Sequence, residues 1–149
     1  MMEKIKELRE LTGAGIMDAK RALEEANGDM KRAQEIIAEK GLTKAEKKSD
    51  RVTGSGRVYS YIHATGKVGA MVEIACETDF VADNADFVTL CKEVAMQVAS
   101  MNPENVDVLL AMDYIRDGSK KIDDLVKAMI AKTGENMKVV RFCRFELGN

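Results

Sequence analysis

Nucleophilic chemistry in this chain would have to rest on one histidine, His63, and three cysteines, Cys76, Cys91 and Cys143. A thiol becomes a nucleophile when a neighbouring base or cation lowers its pKa. Here Cys76 shares a strand face with Val68, Val72 and Ile74 and precedes a run of acids, which raises a thiol pKa. Cys91 lies on the apolar stripe of a helix, and His63 shares its strand face with two tyrosines. The cysteines therefore read as small hydrophobes. Their odd number and the absence of a CxxC pair exclude a zinc ribbon and a disulfide framework. Five acids, Glu73, Glu77, Asp79, Asp83 and Asp86, fall between Val68 and Cys91 without a base, but their spacing is not that of a calcium loop. No GxxxxGK[ST] stands between a strand and a helix, so a phosphate loop is excluded. One short stretch remains: Glu77-Thr78-Asp79-Phe80-Val81 sets an aromatic beside acids where a strand has ended and a helix has yet to begin. A Phe in such a loop either tucks into its own core or protrudes as an anchor for a partner.

The elements that position this loop follow from the change in hydrophobic period along the chain. Over residues 1–41 the period is helical. Ile5, Leu8 and Leu11 mark a first helix, broken by Thr12-Gly13-Ala14-Gly15. Ile16, Ala19, Ala22, Leu23 and Ala26 mark a second. Asn27-Gly28-Asp29 supplies a left-handed stop and a new cap, and Ala33, Ile36 and Ile37 mark a third helix that Gly41 closes. Lys31 and Glu35 are spaced as an exposed pair. Residues 42–55 carry almost no large apolar side chain, and Lys40 to Arg51 has a local charge of +3, the composition of a linker, with an extension of the third helix by a turn or two left open.

From Gly56 the period becomes two. Val58, Ser60, Ile62 and Ala64 alternate with Arg57, Tyr59, Tyr61 and His63. After the turn Thr65-Gly66-Lys67, the residues Val68, Ala70, Val72, Ile74 and Cys76 share one face of a second strand. Phe87 to Met101 is an amphipathic helix ended by Asn102-Pro103; Val106–Met112 is a short helical piece. Ser119 caps a helix through Ile122, Leu125, Val126, Met129 and Ile130, with Gly134 past its end. Met137–Leu147 alternates again, with Val139, Arg141, Cys143, Phe145 and Leu147 on one face. The order predicts an α+β fold: a three-helix bundle over 1–41, a linker over 42–55, and over 56–149 an antiparallel three-stranded sheet with helices on one face.

Composition narrows the function classes. The 149 residues are 46% hydrophobic and 32% charged, with a net charge of −2, so the chain is not a general polyanion binder and no nucleic-acid contact is expected. The longest uncharged run, Val94–Pro103, is far too short to cross a membrane. The start, Met1-Met2-Glu3-Lys4-Ile5-Lys6, lacks the apolar core of a signal peptide. Free thiols with ten methionines fit a reducing cytoplasm. No metal or cofactor is implied.

Three stretches, in order, resemble the translation elongation factor Ts family. Thr12-Gly13-Ala14-Gly15-Ile16-Met17-Asp18-Ala19-Lys20-Arg21-Ala22-Leu23, continuing to Asp29, resembles its N-terminal signature. Cys76-Glu77-Thr78-Asp79-Phe80-Val81-Ala82 resembles the second, and Gly134-Glu135-Asn136 with Arg141 to Gly148 its closing strand. The resemblance covers essentially the whole chain. It implies a guanine-nucleotide exchange factor for elongation factor Tu, without covalent chemistry. The N-terminal bundle would be a ubiquitin-associated-like domain whose Thr12, Gly13, Ala14, Gly15, Ile16 and Met17 touch the nucleotide-binding domain of the GTPase. Thr78, Asp79, Phe80 and Val81 would form the tip that releases GDP, Asp79 and Phe80 entering between two helices of the partner near its Mg²⁺ and phosphates.

Two positions depart from the family pattern: Ala75 stands where Asn is usual, and Asp83 where a basic residue is usual. The second favours an alternative, a binding module for another client that has lost exchange activity. The stretch between Asn102 and Ser119 is also shorter than is usual in the family. Long members hold two related core halves and this chain holds one, which implies a homodimer pairing the exposed faces of two sheets.

Overall fold

The computed structural model describes residues 1–149 and has the α+β architecture expected of the sequence. Helices α1 (Met2–Thr12), α2 (Ile16–Glu25) and α3 (Met30–Lys48) come first. Strands β1 (Ser55–Ile62) and β2 (Val68–Cys76) form a hairpin, followed by a single turn of helix, α4 (Asp79–Ala82), and the long helix α5 (Ala85–Met101). Helix α6 (Val106–Ala111), a small hairpin of β3 (Asp113–Tyr114) and β4 (Asp117–Lys121), helix α7 (Ile122–Thr133) and strand β5 (Lys138–Glu146) complete the chain. The main sheet is antiparallel in the order β1-β2-β5.

Buried side chains form two clusters. Ile5, Leu8, Ala19, Ala22, Leu23, Ala26, Ala33 and Ile36 make a small core within the first three helices. The larger one is built from β2, α5 and α7, with Phe87, Ile74, Val94, Val98, Leu109 and Ile122 fully or almost fully enclosed. Asp29 caps α3 by accepting from Arg32 N at 2.8 Å, as its position before an apolar run predicts.

Several local expectations are corrected. Gly41 does not close α3: the helix runs through it to Lys48, and Ala45 is buried in the larger core. Gly41 is needed for clearance rather than for termination. A Cβ there would lie 3.1 Å from the Ala131 Cβ of α7, so its bare backbone lets α3 and α7 pack closely. The first residues of the stretch 42–55 are therefore helical, the extension of the third helix by a turn or two that the linker reading left open. In place of Lys31 with Glu35, Arg32 pairs with both Glu35 and Glu39, at 3.0 and 3.6 Å.

Ser119 does not cap α7. It lies in β4 and donates to Asp117, while α7 starts after Lys121, whose N–H is received by Asp124. The hairpin over β3 and β4 was not legible in the pattern. Leu11 and Ile16 are largely exposed rather than packed within their bundle.

Strand β5 breaks its strict alternation. The register pairs Ile74 with Val139 but Glu73 with Arg141, so Val140 is an inserted bulge residue. Val139 faces the core; beyond the bulge the inward set is Phe142 and Arg144, and Cys143 and Phe145 turn outward with Leu147 exposed. On β1 the tyrosines Tyr59 and Tyr61 pack against the core, and Val58 and Ile62 face away.

Candidate functional site

Between β2 and α5 the chain makes a tip whose base is buried and whose summit is not. Val81 and Ala82 are 6% and 4% exposed, whereas Phe80 is 85% exposed. Of the two readings open for this aromatic, protrusion is the one realised. A one-turn helix has too few internal hydrogen bonds to hold itself, and α4 is held by its surroundings. Thr78 Oγ1 accepts from Val81 N at 3.3 Å as an N-cap. Cys76 Sγ donates to Thr78 O, and Arg57 Nε donates to Ala82 O at 3.1 Å.

The most extensive restraint comes from the turn before β5. Glu135 follows Gly134, the left-handed cap of α7, and its carboxylate reaches back across the sheet end. Oε1 accepts from Glu77 N and Thr78 N at 3.1 and 3.0 Å, and Oε2 accepts from Thr78 Oγ1 at 2.7 Å. Asn136 N donates to Glu77 Oε2 at 2.7 Å. The buried Asn136 amide donates to Ser49 O and Arg51 O, tying the segment after α3 to the same place.

The five acids do not converge on a common point; each has its own partner. Glu73 pairs with Arg141, Glu77 with Arg51, Asp83 with Arg57 and Asp86 with Lys132. Asp79 accepts from the Ser55 hydroxyl. Beside Ser55, Gly56 lies close against β2: with φ of 144° and the Ile74 carbonyl against it, it has no room for a side chain. Neither buried thiol is poised as a nucleophile. Desolvation, then the nearby Glu135, holds the Cys76 thiol above its ordinary range, and burial pushes Cys91 up to about 12. His63 shares a hydrogen bond with Tyr61 rather than with a cysteine.

The turn between α1 and α2 is a second exposed feature. Gly13 takes the left-handed cap conformation, with φ of 71°, and Thr12 Oγ1 accepts from Ala14 N. Leu11, Ile16 and Met17 stand out around it, each more than half exposed. A Cβ on Gly13 would lie 3.0 Å from the exposed Lys132 side chain of α7, so the turn abuts the surface of that helix.

Thr78, Asp79, Phe80 and Val81 are thus brought together as expected from their order, with Val81 inside and Phe80 outside. Thr12 to Met17 form a separate patch. Ser55, Arg57, Glu135 and Asn136 were not anticipated as part of the tip. Arg57 gave only an alternation signal, and nothing local to Gly134-Glu135-Asn136 indicates that Glu135 binds a segment 57 residues earlier in the chain.

Comparison with known proteins gives the family. Residues 77–149 match the family model described as Elongation factor TS. The chain is 42% identical to Elongation factor Ts of Oleidesulfovibrio alaskensis, over 97% of this chain and 96% of the relative. It is 40% identical to that of Thermotoga maritima, over 99% and 96%. Against Elongation factor Ts of Clostridium acetobutylicum it is 48% identical, over 97% of this chain but only 47% of the relative. The first of these alignments spans 189 positions against 149 residues here, so that relative carries residues with no counterpart in this chain. From its tip to its closing strand, and over nearly its whole length, the chain belongs to the elongation factor Ts family of translation elongation factors.

Proposed function

We propose that the chain is a guanine-nucleotide exchange factor that binds elongation factor Tu·GDP and promotes GDP release, acting in the cytoplasm without covalent chemistry. The observation that carries this reading is Phe80, 85% exposed on a turn whose following residues, Val81 and Ala82, are buried and whose preceding Thr78 is hydrogen-bonded to Glu135. An exposed aromatic on a rigid support loses little freedom when it inserts into a partner, and a buried aromatic anchor contributes about 2 kcal/mol or more. Exchange needs only that the factor bind the empty GTPase more tightly than the loaded one; linkage then weakens nucleotide binding by the same factor.

Thr78, Asp79, Phe80 and Val81 act in this scheme as the releasing tip. Thr12, Gly13, Ala14, Gly15, Ile16 and Met17, at the corner of a ubiquitin-associated-like unit, act as the second point of attachment. Two attachments on one body raise the effective concentration of each. Their supporting feature is the exposed apolar trio Leu11, Ile16 and Met17.

The exchange reading also includes a homodimer. The outer sheet face carries an apolar row in which Ile62 pairs with Gly69 and Gly69 with Phe145, with Met71 and Cys143 beside it. Ile62 and Phe145 are 66% and 77% exposed, a density of bare apolar surface that a second copy of the sheet would cover.

Release of labelled GDP from elongation factor Tu tests the function. The chain accelerates it, and Phe80→Ala reduces that acceleration roughly 30-fold, the equivalent of one lost aromatic anchor. No acceleration by the native chain would instead favour the binding-module alternative.

A further inference from the structure

The tip must be held in one shape to work as a wedge, and the hydrogen bonds around it are not equivalent. Val81 and Ala82 anchor the C-terminal half of α4 by burial, while Asp79 and Phe80 at its start are exposed. The direction of Phe80 is set by where the helix starts, hence by Thr78. Thr78 touches two groups outside its own turn: Cys76 Sγ donates to its carbonyl, and Glu135 accepts from both its N–H and its hydroxyl, whereas the Ser55 hydrogen bond reaches the neighbouring Asp79 instead. Because that hydroxyl donates to Glu135, its lone pairs are turned toward Val81 N, and the cap is made. The adjacent Glu77 N–H donates to Glu135 Oε1, the oxygen that also accepts from Thr78 N. Two successive N–H groups on one oxygen fix the plane in which β2 gives way to α4.

We propose that Glu135 is the positioning residue of the exchange tip: its carboxylate sets the Thr78 cap and so the direction in which Phe80 leaves the molecule. This rests on the exchange reading for its functional consequence, though not for its structural one. Glu135 does not itself stand at the summit. It sits half-buried behind the tip, delivered there by the Gly134 cap of α7, and it acts through Thr78. A wedge that wobbles still binds, because the N-terminal patch and the buried base are unchanged. What it loses is the difference in fit between the empty and loaded GTPase. Removing Glu135 therefore lowers the maximal rate of nucleotide release more than it raises the concentration needed for half of that rate.

Three variants separate this from a general loss of stability. Glu135→Ala removes all three contacts. Glu135→Gln keeps an oxygen for the two N–H groups and an amide that donates to the Thr78 hydroxyl. Glu135→Asp keeps the charge but is one methylene too short. The chain has no tryptophan, so Phe80→Trp gives a single fluorescent reporter at the summit. Time-resolved anisotropy of that reporter is expected to gain a fast local component in the Ala and Asp variants and not in the Gln variant. In GDP release from elongation factor Tu, with Phe80 intact, the Ala and Asp variants are expected to lose roughly 10- to 100-fold in maximal rate at nearly unchanged half-saturation, and Gln to stay near the native chain.

The result that overturns the proposal is a folded Ala or Asp variant with native anisotropy and native maximal rate, or a Gln variant as impaired as Ala. If Ala does not fold, Asp carries the test. If the native chain releases no GDP, the exchange reading fails, and the anisotropy of the three variants still decides whether Glu135 sets the tip.

Discussion

Arg57 Nη2 donates to Asp83 Oδ1 at 3.1 Å, so the acid that departs from the family pattern is neutralised by a cation of its own chain. The same guanidinium donates from Nε to Ala82 O, joining β1 to the end of α4. The charge reversal beside the tip is thus matched internally, which weakens the case for a module that has lost exchange activity.

This pairing predicts coupling between the two positions. Asp83 is mostly exposed, so the ion pair contributes less than about 1 kcal/mol. In urea unfolding, the losses from Arg57→Ala and Asp83→Ala are expected to be non-additive by roughly 0.5 kcal/mol in a double-mutant cycle. Asp83→Lys, which faces Arg57 with a like charge, should cost more than Asp83→Ala. Strict additivity would mean that the pair is not formed in solution.

The N-terminal patch and the tip are expected to fail in different ways. Ile16→Asp or Met17→Asp alters a side chain that is more than half exposed, so thermal stability changes little. The half-saturating concentration for GDP release rises, because one of two attachments is lost, while the maximal rate is retained. Titrations of both variants against elongation factor Tu measure this directly. A fall in maximal rate with unchanged half-saturation would move these residues into the releasing step.

The bare sheet face predicts a specific disruption. A Phe145→Glu substitution puts a carboxylate on each side of a twofold interface, so its cost is incurred twice. Light scattering at micromolar concentration is expected to give a dimeric mass for the native chain and a monomeric one for the variant. A monomeric native chain would remove the dimer from the account and leave the tip untouched.

Stability at high pH follows from two groups. Burial raises Cys91 from 9.0 to about 12, and burial followed by the hydrogen bond to Glu93 raises Tyr114 from 10.0 to about 12. Both are neutral when protonated, so the unfolded chain gives up these protons first as pH rises. The folded state therefore loses ground above pH 9 for Cys91 and above pH 10 for Tyr114, until each ionises in the fold as well. The fully buried Cys91 sets a slope of up to about 1.4 kcal/mol per pH step. Under reducing conditions, Cys91→Ala should flatten the decline between pH 9 and 10, and Tyr114→Phe the decline above 10. An unfolding midpoint independent of pH across this range would contradict both assignments.

Much of the fold was legible because its signals are local. The change of period from 3.6 to 2 at Gly56, the stop and cap at Gly28 and Asp29, and the left-handed end at Gly134 each depend on a few neighbouring residues. What escaped depends on distant ones. Gly41 looks like a helix end, yet it is a clearance for Ala131, which lies 90 residues further along the chain. The Val140 bulge reverses the faces of β5 because register is set by β2, not by the strand's own alternation. The stretch Thr78 to Val81 stands out by composition and resemblance, but its supports come from elsewhere: Ser55 and Arg57 from β1, and Glu135 from the turn before β5. A side chain's reach across a sheet end leaves no periodic trace.

The most direct test of the central claim is the affinity of this chain for elongation factor Tu in its nucleotide-free and GDP-bound forms, measured side by side. Markedly tighter binding to the empty GTPase is expected, with the preference reduced by Phe80→Ala. Equal affinity for the two forms would contradict it.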